Sequence, residues 1–374
     1  MNRHFKKRSI LIVAVFVIAI IGLAVVYRWQ QIPDDVIAFT STREGRPAIY
    51  LLSPDSKYLQ RLSLYDCCAS QSVWNTAIGY LPFWLQPNQR IVRDEWPFWS
   101  PDGQKIIYET GRNLSVMNAN GMNNQIIFAG NHPYYTTTSF DSAEIAFIEP
   151  LVEIHPGSTL YGLFINSRSQ TRQISQEFVD ILPMLSPDFE RIAYVKEEQT
   201  LGDPIYQVCV TTVDNDDTHC LPTIATGIPI WSPDSQKIAF SCDTSLCVLA
   251  LDHYQTSIIN LPPEILYIPN ERFAVVWSPD GQKISFRGIT QVGMGDEMPD
   301  IYVVDVDGTN LIRLTTHKES DSYQNWSPDS SQLVFASTRN GNWDLYIINA
   351  DGTGLTRLTY DEGDDYQPSW RPTR

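Results

Sequence analysis

A seven-bladed β-propeller, an all-β ring of four-stranded sheets, is the fold class this sequence predicts, and three observations predict it. The octapeptide "WSPDGQKI" stands at 99–106 and again at 277–284, with "WSPDSQKI" at 231–238. The tryptophan position recurs at Trp99, Phe140, Leu185, Trp231, Trp277, Trp326 and Trp370, in steps of 41, 45, 46, 46, 49 and 44 residues. A period in the forties built of short alternating strands is that of propeller blades. Third, the last repeat stops after "PSWRPTR", a first strand, whereas the folded part opens at residue 36 with strands two to four only. The C-terminal strand is therefore expected to complete the blade begun at residue 36, which closes the ring and leaves no open sheet edge. Six or eight blades are the alternatives, if the degenerate unit around Phe140 is misread or if residues 64–95 hold a further blade.

Each unit repeats one internal grammar. The tryptophan ends a short apolar strand. Ser-Pro-Asp-Gly then makes a turn in which Pro presets its own φ and Gly accepts a conformation that other residues resist. A strand such as "KIAF" follows, then a variable loop, then a strand such as "DLYIINA". A second tight turn, "DGTG", leads into "LTRLT".

Residues 1–35 lie outside this pattern. "MNRHFKKR" is followed by an uncharged apolar run from Ile10 to Tyr27, 18 residues long. At a rise of about 1.5 Å per residue a helix of that length spans roughly 27 Å, enough for a bilayer core. Arg3, Lys6, Lys7 and Arg8 before the run, against Arg28 alone just after it, place the N-terminus in the cytoplasm. The expected organisation is a cytoplasmic tail (1–9), a transmembrane signal anchor (10–27), a linker (28–35) and an extracytoplasmic propeller (36–374) in the cell membrane. A cleaved signal peptide, with Gly22 and Ala24 before the cut, is the competing reading.

Five of the 27 basic residues fall in the first 28 positions, where no acid occurs, which leaves 22 basic against 43 acidic residues, a net of −21. Such a surface repels phosphate backbones and anionic headgroups, so nucleic acid is excluded as a partner, and contact with the membrane is expected through the N-terminal helix only. An envelope protein or a glycan fits this charge. Six cysteines suit an oxidising compartment. Cys242 and Cys247 flank "DTSL" and Cys209 and Cys220 flank an acidic turn, so each pair is either a disulfide across a hairpin or two small buried thiols. Cys67 and Cys68 are adjacent and either bonded or free.

The segments "FASTRNGNWDLYIINADGTGLTRLTYDEGDDYQPSWRP" and "FTSTREGRPAIYLLSPDSKYLQRLS" closely resemble the repeats of the TolB-like propeller family, also called PD40 or WD40-like repeats. The resemblance covers about 36–374, is strong in the first and last three units and weak in the third, and implies a propeller that works by binding. The family's namesake is a soluble periplasmic protein with an additional N-terminal domain that has no counterpart in this sequence, so the namesake's own envelope role is not expected to carry over.

Strand order separates two faces. The turns joining strands one to two and three to four are short and stereotyped; the loops joining two to three, and four to the next blade, hold the length variation, including 149–158, 196–204, 287–300 and 64–95. Variable loops on a rigid scaffold are where binding resides. The linker enters at a second strand, so the tight-turn face is expected to look toward the membrane and the loop face away from it.

Five residues before each tryptophan position stand Asp94, Tyr135, Asp180, Thr226, Arg272, Asp321 and Asp365. Equivalent positions ring the channel mouth, and converging carboxylates repel one another unless a cation or basic group sits among them. Asp94, Asp180, Arg272, Asp321 and Asp365 are therefore the candidate ligand-binding set, for a cation or a basic or hydroxylated ligand. The competing reading gives each aspartate a backbone amide or an arginine such as Arg43 or Arg339 of the repeated "STR" segments. Trp74, Tyr80, Phe83 and Trp84 in the long insertion either contact a partner or pin the loop to the propeller.

No nucleophile elbow, metalloprotease helix motif or phosphate loop occurs in the sequence, and the histidines do not stand at neighbouring equivalent positions. The family resemblance extends to propellers fused to prolyl-peptidase domains and to metal-dependent sugar lyases, so an enzyme acting at the channel mouth is the alternative. The expected protein is a non-enzymatic binding module without a resident cofactor.

Overall fold

The computed structural model describes residues 32–63, 93–130, 134–139, 144–155, 158–167, 170–174, 178–179, 183–198, 205–213, 217–242, 245–267, 275–290 and 298–373. These residues form seven antiparallel sheets. Blade 1 orders Leu59–Arg61, Ala48–Leu52, Ile37–Ser41 and, innermost, the C-terminal strand Asp365–Trp370. Ile37 pairs with Trp370 and Ser41 with Asp365, so the ring is closed by the strand the truncated repeat supplies. Blade 2 spans 94–129, blade 3 134–179, blade 4 184–224, blade 5 226–259, blade 6 265–313 and blade 7 321–357. The tryptophan position ends the innermost strand in Asp94–Trp99, Thr226–Trp231, Val275–Trp277, Asp321–Trp326 and Asp365–Trp370.

The core is a set of layers between blades. Each of seven clusters draws on two consecutive blades, as where Ile37, Phe39 and Tyr50 of blade 1 meet Val334, Leu345 and Ile347 of blade 7. A middle strand is covered on both faces, so its residues are apolar at both parities: Ala48–Leu52 is buried throughout. The outermost strand has one open side, and Gln170–Gln173 is exposed along its whole length.

The recurrent octapeptide now has a physical reason. The indole N–H of each tryptophan donates to a backbone carbonyl one residue before the tryptophan position of the preceding blade: Trp99 to Ser369 (3.0 Å), Trp231 to Met184 (2.8 Å), Trp277 to Ile230 (3.1 Å) and Trp326 to Val276 (3.2 Å). Trp370, at the closure, donates to Asp35 Oδ1 instead (2.6 Å). Leu185, at this position in blade 4, has no side-chain N–H to donate.

The turn after each tryptophan is held by its own side chains. Ser100 Oγ donates to Asp102 Oδ1 (2.6 Å) and accepts from Lys105 N (2.9 Å), while Asp102 Oδ1 accepts from Gln104 N (3.0 Å). The same bonds recur at Ser232/Asp234, Ser278/Asp280 and Ser327/Asp329. The Ser327 hydroxyl, with the Ser331 amide and hydroxyl, holds the Asp329 carboxyl below its ordinary value. The fourth turn residue is left-handed, at φ 63° for Gly103 and 67° for Gly281, as glycine allows. Ser235 (φ 59°) and Ser330 (φ 61°) adopt it too, and each hydroxyl accepts from the turn of the preceding blade, at Asp188 N and Asp280 N, both 3.1 Å.

Residues 149–155, expected as part of an irregular loop at 149–158, lie in a strand: Glu144–His155 and Ser158–Ser167 pair as a long hairpin with His155 opposite Ser158, interrupted by two register shifts. The candidate anchor at 10–27 and the insertion at 64–92 lie outside the described residues. Among the described residues no helix is long and apolar enough to cross a membrane.

Candidate functional site

Asp94, Asp321 and Asp365 each begin an innermost strand on the loop face and are buried. Arg43 clasps Asp365: its Nη2 donates to Oδ1 (3.0 Å) and Oδ2 (2.9 Å), and its Nε donates to Ser41 Oγ (2.8 Å). Asp361 also pairs with this guanidinium at 3.0 Å, and the cation lies 4.8 Å from the Tyr50 ring. Blade 7 repeats the assembly. Arg339 Nη2 donates to Asp321 Oδ1 (2.8 Å), Nε donates to Ser337 Oγ (2.8 Å), and the cation lies 4.6 Å from the Tyr346 ring. The "STR" tripeptide ends the second strand in both blades and so delivers its arginine to the aspartate beside it. At these two positions the carboxylates meet arginines, as the structural reading of the ring supposes.

Blade 2 departs from this. Arg112, at the place of Arg43, is exposed, and Asp94 accepts from the Thr110 hydroxyl. Burial pushes the Asp94 carboxyl up to about 6, against the hydroxyls of Thr110 and Ser63 and the charge of Arg61. The folded protein therefore holds the Asp94 proton more tightly than the unfolded chain, and stability falls as pH rises from the ordinary carboxylate value through 6. Asp94→Asn removes this dependence. The variant should gain on the parent by on the order of 3 kcal/mol between pH 4 and pH 8 in urea melts, and a constant difference would contradict the assignment.

A second set of arginine–carboxylate pairs escaped the sequence reading. Arg313 Nε donates to Asp300 Oδ2 (2.9 Å) and Arg357 Nη2 to Asp344 Oδ2 (2.7 Å). Thr315 and Thr359 accept backbone bonds from Ile301 (3.0 Å) and Leu345 (2.9 Å) beside them. The signal was present: "DIY" and "DLY" stand 13 residues before the arginine of "RLT" in both units. In blade 1 Ala48 replaces the aspartate, and Arg61 pairs with Glu44 at 2.6 Å.

Inside this frame lies an aromatic rim. Trp96, Tyr323 and Gln367 occupy one position, three residues before the tryptophan, in blades 2, 7 and 1, and all are left-handed at φ 57°, 60° and 56°. Each sits where the innermost strand shifts register against its neighbour. Tyr323 is the hub: its ring centroid is 5.7 Å from Trp96, 5.6 Å from Trp343 and 6.2 Å from Tyr366. Gln367 Oε1 accepts from Trp96 N (2.9 Å) and Thr40 Oγ1 (2.7 Å), and the Tyr366 hydroxyl donates to Glu95 Oε1 (3.4 Å). Arg287, nearly buried, donates through Nε to the Asp321 carbonyl (3.2 Å). Gly363 keeps the adjoining loop close, because a Cβ there would lie 2.4 Å from Arg43 N. Single left-handed residues at bulges leave no mark in a pattern of polarity, so the sequence reading missed this rim.

Asp180, Arg272, Trp74, Tyr80, Phe83, Trp84, Cys67 and Cys68 lie outside the described residues, as do the side chains of Tyr135 and Thr226. Cys209 and Cys220 are bonded across directly opposed strand positions, with Cα atoms 4.1 Å apart, and Cys242 and Cys247 across a hairpin, at 5.8 Å.

Seven sheets in a ring, stapled blade to blade and closed by the last strand, define a seven-bladed β-propeller. Residues 189–374 match the family model described as the TolB beta propeller domain, PD40. Over those residues the chain carries a TolB-like β-propeller domain. Among solved structures it is similar to an oligogalacturonate lyase from Vibrio parahaemolyticus, with a TM-score of 0.62 and 14% identity over 84% of this chain and 91% of that one. A prolyl endopeptidase structure aligns with a TM-score of 0.57 and 11% identity over 88% of this chain and 50% of that one. TolB from Acinetobacter baumannii aligns with a TM-score of 0.48 and 14% identity over 87% and 79%. At these identities the likeness is one of fold. No curated protein matches the chain.

Proposed function

We propose that the chain is a membrane-anchored, extracytoplasmic propeller that acts by binding an envelope protein or glycan on its loop face. One observation carries the binding reading. The buried carboxylates best placed for acid–base work at the mouth, Asp321 and Asp365, are engaged by Arg339 and Arg43. They tie the innermost strand of a blade to its neighbour, while the half-exposed aromatic rim beside them offers contact surface. Two disulfides suit an oxidising compartment, and the basic cluster with the apolar run at 10–27 suits an anchor with its N-terminus in the cytoplasm. The described chain reaches blade 1 at the start of a second strand, beside the tight turn at Gly103, which lies against Arg371 and Pro372. This favours a tight-turn face turned to the membrane.

Photo-cross-linking in intact cells tests the reading. A photoreactive residue at Glu362, on the loop face, should give protein or glycan adducts, and one at Gln104, on the tight-turn face, should not. Adducts at 104 alone, or lipid adducts at 362, would overturn it.

A further inference from the structure

Inside the blades the molecule holds its own arginines in one way: a guanidinium lies near a tyrosine ring while a carboxylate receives its N–H groups, as at Arg43–Tyr50–Asp365 and Arg339–Tyr346–Asp321. The rim presents matching components toward the mouth. Tyr323, Tyr366 and Trp343 are partly exposed, and Trp96 and Trp343 stand at 73° and 65° to the Tyr323 ring instead of stacking on it. Glu95 lies beside Tyr366, and among the described residues no lysine or arginine pairs with it. The arginines of the surrounding frame, Arg43, Arg61, Arg313, Arg339 and Arg357, already face carboxylates, and Arg287, whose charge acts on Tyr323, is buried and gives its Nε to the Asp321 carbonyl. Asp364 and the exposed Glu362 add negative charge in the adjoining loop.

We propose that Glu95 and the Tyr323–Tyr366–Trp343–Trp96 rings form a receptor for a cationic side chain, an arginine or lysine carried by a partner protein. The inference rests on the binding role proposed for the loop face and names the chemistry of the partner. A cation near aromatic faces is attracted by the ring quadrupoles, and a carboxylate alongside fixes its charged end. Negative charge over the whole body of the chain steers such a partner in and repels anionic ones.

The probe is an acetylated, amidated Gly-Arg-Gly-Arg-Gly peptide titrated against the purified full-length chain in mild detergent, beside an isosteric peptide with citrulline in place of arginine. The arginine peptide should bind, and the neutral one roughly tenfold more weakly or not at all. Glu95→Gln should weaken arginine-peptide binding about tenfold, whereas Glu362→Gln, on the same face but outside the rings, should change it less than about threefold, both with unchanged melting temperature. Absence of arginine-peptide binding, equal binding of the two peptides, or equal losses from the two variants would overturn the proposal. Glu95-dependent binding of a neutral oligosaccharide in place of the peptide would also overturn it. If cross-links at Glu362 capture a partner while the peptide fails, this inference falls and the loop-face reading stands.

Discussion

Trp326→Ala is expected to lower stability by about 3–5 kcal/mol, the usual cost of emptying a buried tryptophan site. The side chain is 3% exposed, packs between blades 6 and 7 with Leu333, Phe335 and Ile301, and gives its N–H to the Val276 carbonyl. Trp326→Phe keeps most of the packing and removes only the inter-blade bond, so it should cost about 1–2 kcal/mol. Urea unfolding of both variants checks the pair. A phenylalanine variant as stable as the parent would mean that the indole N–H does not staple the blades.

Arg43→Ala is expected to cost about 3–5 kcal/mol at pH 8, because it leaves the carboxylate of Asp365 buried without its cation. Asp365 is fully buried and Arg43 is the guanidinium that clasps it across the closure of the ring. Burial already holds the Asp365 carboxyl above the ordinary carboxylate range, with Arg43 opposing. Without Arg43 the folded-state value rises further, so the variant takes up a proton on folding over a wider pH range. Its stability therefore falls as pH rises, and the gap to the parent should narrow toward pH 4 and widen toward pH 8. Arg43→Ala combined with Asp365→Asn should recover part of the loss at pH 8. A gap independent of pH would show that packing of the arginine stem, and not its charge, is what matters.

The ring was legible because its signals are local and repeated. Trp99, Trp231 and Trp277 precede the same turn, and that turn closes with bonds among residues two to five apart. The closure was legible because a first strand at 365–370 and a blade lacking one at 37–61 can satisfy their backbone groups only together. The role of the tryptophan N–H was not, since its acceptor lies 47 or 50 residues away in Trp277 and Trp326. The hairpin formed by 144–155 and 158–167 was legible only as a length-variable loop, since a proline such as Pro150 disfavours a strand by itself, yet it lies within one, opposite Tyr161. Of the carboxylate ring, position was legible and partner only as an alternative. Asp321 and Asp365 find arginines two residues beyond their paired strands, and Asp94 finds a hydroxyl because Gly111 and Arg112 turn outward. The aromatic rim depends on left-handed bulge residues, Trp96 and Tyr323, whose conformation is set by neighbouring blades and not by residue type.

The closed ring underlies every face, site and orientation described above, and a cysteine pair across the closure tests it most directly. Ala38 and Ser369 are opposed partners on strands more than three hundred positions apart. With Ala38→Cys and Ser369→Cys the folded chain should form an intramolecular disulfide under oxidising conditions, seen as a shifted band that reductant reverses, and its melting temperature should rise. Two free thiols in the folded protein, or a bond formed only between separate chains, would contradict the closed propeller.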